Sequence, residues 1–145
     1  KSEGKFDNGL GELSDAAAAL DFIQRNNANS NESWVVGFSF GALISMQLLM
    51  RRPEIFRFIS ISPQPNIFDF NFLAPCPTSG LVIHGDQDQL VPKDTMIVLK
   101  EKLVSQKNIT VDFNEIKGAN HFFTGKEKDL VDCIDGYIKK ESRLF

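Results

Sequence analysis

Three short stretches of this chain carry residue types that together could do nucleophilic chemistry. Gly37-Phe38-Ser39-Phe40-Gly41 sets a serine between two glycines, His84-Gly85-Asp86-Gln87-Asp88 offers two carboxylates, and Gly118-Ala119-Asn120-His121-Phe122-Phe123 offers an imidazole. A serine hydroxyl is a weak nucleophile near neutral pH and needs a base to take its proton. An imidazole serves when a carboxylate fixes its tautomer and stabilises the imidazolium. Taken singly, each residue has a plainer reading. Ser39 suits a turn or a helix cap, Asp86 and Asp88 suit turns, and His121 suits a solvent-facing loop. The combination points to chemistry only if the fold gathers its members.

Hydrophobic spacing predicts the elements that would gather them. Residues 12–26 place Leu13, Ala17, Leu20 and Ile23 at helical intervals, with Ser14 or Asp15 near the exposed N–H groups of the first turn. The Asn- and Ser-rich stretch 26–33 ends that helix. Residues 34–38 read as a short apolar strand, and the run from Gly41 reads as a helix until Pro53 stops it. Further strands are expected over 56–62, 80–85 and 110–116, with helices over 93–106 and 126–141. Strands that are nearly all apolar and alternate with helices predict an α/β fold in one domain. Its architecture would be a three-layer sandwich with a mainly parallel sheet.

In such sheets, sites form beyond the carboxyl ends of the strands. Ser39 follows the first strand, Asp86 and Asp88 the third, and His121 the fourth, so one end of the sheet would hold all of them. Gly37 and Gly41 supply the small neighbours expected of a serine on a strained strand-to-helix turn. The helix after Ser39 would aim its N–H groups toward a developing oxyanion.

Charge and composition narrow the partners. The formal net charge is −3 with both signs mixed along the chain, so neither a basic surface for nucleic acid nor an acidic tail is implied. No apolar run reaches the roughly 18 to 20 residues that span a bilayer, so no membrane partner is expected. Cys76 and Cys133 lack metal-type spacing and read as two unpaired thiols, which suits a cytoplasmic protein. Phe38, Phe40, Phe122 and Phe123 flank the candidate residues and are placed either to line an apolar pocket or to pack beneath the turn. His84 reads as structural, and the Lys139–Arg143 stretch as a solvated helix terminus.

Across essentially all its length the chain resembles an α/β-hydrolase, of the small bacterial serine-hydrolase type related to dienelactone hydrolase. "GFSFGA" is similar to the nucleophile elbow of that family, "LVIHGDQDQLVP" to its acid segment and "GANHFF" to its histidine segment. The resemblance implies Ser39 as nucleophile, His121 as base and Asp88, the later aspartate of the segment, as acid. It also implies the backbone N–H of Phe40 as one oxyanion donor. Dienelactone hydrolase itself uses a cysteine at the elbow, so its substrate does not carry over to Ser39. The expected reaction is hydrolysis of a small ester or thioester through an acyl-serine, without metal or organic cofactor. A non-catalytic binding module or a fragment inactive by itself, and acyl transfer or peptide cleavage by the same residues, stand as alternatives. Residues 63–79 are too few for a helical lid, so an open site is expected.

The chain starts at Lys1-Ser2-Glu3-Gly4 with no Met, and no strand precedes its first helix. Proteins of the resembled type have several strands earlier in the chain, and a loop among them gives the second oxyanion N–H. The expectation is the C-terminal part of an α/β-hydrolase domain, incomplete at its N-terminus. The apolar strand at 34–38 would then have a free edge through which copies could associate.

Overall fold

The structure, a computed structural model, describes residues 3–143. The elements run α1 (Leu10–Asn26), β1 (Ser33–Phe38), α2 (Phe40–Leu49), β2 (Ile55–Ile61), a single 3₁₀ turn (Asn71–Leu73), β3 (Gly80–Gly85), α3 (Lys93–Val104), β4 (Val111–Ile116) and α4 (Glu127–Glu141). The four strands form one parallel sheet in the order β1-β2-β3-β4. Each element lies within a residue or two of its expected bounds, apart from the unforeseen 3₁₀ turn and the end of α2 at Leu49, short of Pro53.

Alternation along the strands divides the core between the two faces of the sheet. Phe58 of β2 and Val82 of β3 pack with Leu13 of α1, Leu43 and Met46 of α2, and Met96, Leu99 and Leu103 of α3. Ile59, Ile61, Leu81 and Ile83 point the other way and meet Phe123 and Tyr137 of the α4 layer. These are the three layers expected. β4 departs from the all-apolar pattern, since Asn114 and Glu115 are exposed at the far edge.

Two details of α1 differ from expectation. Neither Ser14 nor Asp15 serves the start of the helix. The Glu12 carboxylate instead accepts the N–H groups of Asp7 at 2.8 Å and Gly9 at 2.9 Å. Those bonds, led by the one from Asp7, hold its carboxyl below the usual range. Ile23 is 56% exposed, because the helix turns Leu13, Ala16, Ala17 and Leu20 toward the sheet.

In the C-terminal segment Lys139 and Lys140 are exposed as expected, but Ser142 and Arg143 are tied down. Glu32 accepts the Ser142 hydroxyl at 2.9 Å and the Arg143 N–H at 2.6 Å, and the Arg143 guanidinium lies 4.5 Å over the Phe56 ring. Both cysteines are free thiols, Cys76 buried and Cys133 partly so. Among the described residues no helix is long and apolar enough to cross a membrane. Lys1 and Ser2, where the N-terminal reading began, lie outside the described residues.

Candidate active site

The turn between β1 and α2 places Ser39. Its N–H donates to the Ile61 carbonyl at 2.9 Å, which holds the end of β1 against β2. The backbone of Ser39 then enters the left-handed half of conformational space, at φ 54° and ψ −116°, before α2 starts at Phe40. A non-glycine residue there carries strain that the surroundings must hold in place. Gly37 makes the tight turn feasible: a Cβ on it would overlap the Gly41 carbonyl and Ser45 Oγ and lie 2.7 Å from Ala42 Cα. Gly41 does not share that constraint, since a Cβ there meets nothing within 4 Å among the described residues. The demand for a small residue falls on one side of the serine only.

The β3–α3 loop carries Asp88. One carboxylate oxygen accepts the N–H groups of Leu90 at 2.8 Å and Val91 at 3.1 Å, a local turn that fixes the side chain. The other oxygen faces His121 Nδ1 at 2.7 Å. The opposite ring nitrogen, Nε2, lies 2.9 Å from Ser39 Oγ. The Asp88 and His121 side chains are 4% and 3% exposed, so the contact between them is shielded from solvent. Serine, imidazole and carboxylate thus form one unbroken line at the carboxyl end of the sheet.

Asp86 takes no part in that line. It accepts the Gly118 N–H at 2.6 Å and so ties the loop after β3 to the loop that carries His121. Gly85 brings the two loops together, because a Cβ there would overlap the Ala119 carbonyl oxygen and lie 2.7 Å from its carbon. Gln87 N–H donates to the same Ala119 carbonyl at 2.9 Å.

The aromatic residues divide. Phe38 and Phe122 flank the imidazole, with ring centroids 5.6 and 5.1 Å from it, and both remain exposed to solvent. Phe123 is not at the site. It is 1% exposed and packs under α4 with Ile59 and Leu81, so its expected place in a pocket is corrected. The Phe40 ring packs between Phe6 and Phe68, while its N–H, first in α2, has no acceptor within the helix. Phe70 is buried, and Phe68 and Phe72 pack against the same side of the core.

Two contributors follow β2, where the sequence reading named no candidate. Ser62, fully buried at φ 47°, donates its hydroxyl to the His121 carbonyl at 2.9 Å. The Gln64 side chain lies 3.2 Å from Ser39 Oγ. The signal that would have found them is the strand-end rule, which applies to β2 as it does to its neighbours. Among the described residues the crossover from β2 to β3 contains only the 3₁₀ turn, so this segment supplies no helical lid.

A cavity of about 240 Å³ opens on the α3 side of the sheet, lined by His84, Asp88, Val91, Met96, Lys100 and Phe113 among others. Its lining includes Asp88 but neither Ser39 nor His121. Burial lowers the pKa of His84 there, against the opposing pull of Glu115. Among the described residues no cluster of ligating side chains could hold a metal ion.

Comparison with known proteins identifies the family. The profile of the dienelactone hydrolase family matches residues 4–143. The chain belongs to that family. A curated relative in Rickettsia prowazekii, itself uncharacterised, is 48% identical over 141 residues, covering 94% of this chain and 59% of the relative. A candidate α/β-hydrolase of unknown function from Agrobacterium tumefaciens is 54% identical, with a TM-score of 0.93 over 97% of this chain and 64% of that one. A lidless serine hydrolase from Xanthomonas campestris is 29% identical, with a TM-score of 0.85 over 97% of this chain and 61% of that one. This member of the dienelactone hydrolase family therefore spans about three-fifths of the length of the relatives it matches.

Proposed function

We propose that this family member is a serine hydrolase that cleaves an ester or thioester of a small molecule through an acyl-Ser39 intermediate. The observation that carries the reading is the line from Ser39 Oγ to His121 Nε2 at 2.9 Å and from His121 Nδ1 to Asp88 at 2.7 Å. As Oγ attacks the acyl carbon, its proton passes to His121, and Asp88 stabilises the imidazolium that forms. The oxygen of the opened carbonyl gains charge, and the Phe40 N–H, at the head of α2, would receive it. His121 then returns the proton to the leaving alcohol or thiol. Deacylation repeats the steps with water in place of Ser39. The exposed rings of Phe38 and Phe122 favour an apolar acyl or alcohol group beside the imidazole.

The test is labelling of the full-length natural protein by a fluorophosphonate, followed by turnover of short p-nitrophenyl esters and thioesters. Labelling lost in Ser39→Ala supports the reading. A wild-type protein that resists the probe overturns it in favour of a binding module. Hydrolysis that is slow beside transfer to an added alcohol or amine would instead mark an acyltransferase.

A further inference from the structure

One polar contact at Ser39 belongs to neither His121 nor Asp88. The Gln64 side chain sits on the serine, with its amide oxygen 3.2 Å from Oγ. Counting protons decides what this contact must be. A carboxylate can only accept, so the proton in the 2.7 Å contact with Asp88 resides on His121 Nδ1. A neutral imidazole protonated there presents a lone pair at Nε2, and the Ser39 hydrogen points to it across 2.9 Å. Oγ then has lone pairs only, and a group bonded to it must donate. Glutamine does so when its NH₂, rather than its oxygen, faces the serine, and the two orientations have almost the same shape.

Contacts on both sides hold Gln64 in place. Ser62 is fixed to both neighbouring parts of the site, through its N–H to the Ile83 carbonyl at 2.8 Å and its hydroxyl to His121 at 2.9 Å. The Gln64 carbonyl closes the following turn by accepting the N–H groups of Ile67 and Phe68, both at 3.0 Å. Prolines 63 and 65 restrict the backbone on either side. Ser39 Oγ is the hydrogen-bond partner of the amide among the described residues.

We propose that Gln64 is a further catalytic residue: its side-chain amide donates a hydrogen bond to Ser39 Oγ and holds the hydroxyl hydrogen on the line to His121. This rests on the reading of Ser39 as nucleophile. One lone pair of Oγ is occupied by the Gln64 N–H and the other is free to attack. As the bond from Oγ to the acyl carbon forms, the hydroxyl proton moves to Nε2 and the amide remains on Oγ. Without the amide, Oγ is held by a single contact, and the hydroxyl can rotate away from His121.

Fluorophosphonate labelling rates and p-nitrophenyl acetate turnover across pH provide the test, on the full-length natural protein and its Gln64→Met, Gln64→Glu and Ser39→Ala variants. Gln64→Met keeps the volume and removes the donor. Labelling and kcat are expected to fall about tenfold or more, with KM within about twofold of wild type. Gln64→Glu can only accept, so it draws the Ser39 hydrogen away from His121. Its turnover should fall below that of Gln64→Met, and its acidic limb should move to higher pH, because the added negative charge favours the imidazolium. Thermal melts distinguish slow chemistry from misfolding, and the glutamate variant decides the matter if the methionine variant does not fold. Wild-type rates in Gln64→Met, or a change confined to KM, overturn the proposal and leave the hydrolase reading standing. A wild-type protein labelled no faster than Ser39→Ala overturns both.

Discussion

Ser39, His121 and Asp88 depend on one another in a way that single distances understate. The two contacts of His121 fix its ring, and the ring in turn gives direction to a hydroxyl already held on a strained turn. Ser39→Ala, His121→Ala and Asp88→Asn are each expected to reduce ester turnover by on the order of 10⁴-fold or more. Asp86→Asn keeps an acceptor for the Gly118 N–H, so its turnover should stay within about tenfold of wild type. A larger loss in Asp86→Asn than in Asp88→Asn would reverse the assignment of the acid. The two elbow glycines should also separate. Gly37→Ala forces a Cβ into the Gly41 carbonyl and Ser45 and is expected to cost about 1–3 kcal/mol in urea denaturation, whereas Gly41→Ala meets no such obstacle.

Strand β3 links the site to the stability of the sheet. Its last residues, His84 and Gly85, stand between the cavity on the α3 side and the loops that carry Asp88 and His121. Desolvation holds the His84 pKa below its ordinary value of 6.5, with Glu115 Oε2 at 3.8 Å pulling the other way. In the unfolded chain this imidazole binds a proton more readily than in the folded one, so the folded state loses stability as pH falls through the ordinary histidine range. Urea midpoints measured between about pH 7.5 and 5.5 should therefore decline, and His84→Gln should flatten that decline. A decline of equal size in the variant would show that other groups control it.

At the scale of the whole molecule, the sheet is covered unevenly. On the α4 side Trp34 packs edge-on to Phe56 and Tyr137, but Val36 and Phe38 farther along β1 are 53% and 41% exposed. β1 also stands at the end of the strand order, with one hydrogen-bonded neighbour among the described residues. An apolar strand with both an open face and an open edge favours association. Residues 1–145 produced alone are expected to self-associate with rising concentration in size-exclusion chromatography with light scattering. Val36→Lys should shift the equilibrium toward monomer. A monomer at all concentrations would show that the face needs no cover.

Local pattern decided much of this protein. Near-continuous apolar strands, prolines at element ends and helical spacing were enough for the order of elements and the parallel sheet. The strand-end rule then placed Ser39, both Asp86 and Asp88, and His121 at one end of that sheet, and the family resemblance singled out Asp88. All of these are short-range properties, carried by neighbours in the chain. What pattern could not carry was contact between distant residues. Gln64 and Ser62 have no motif around them and acquire a role only because parallel pairing sets the end of β2 beside Ser39 and His121. Phe122 and Phe123 are adjacent and chemically identical, yet one is exposed beside the imidazole and the other buried under α4. A positive φ at Phe123 turns the backbone at that point, and only the packed structure determines that turn. Even "GFSFG" divided in this way: the motif located the serine, whereas the tertiary packing showed that Gly37 and not Gly41 is the glycine it requires.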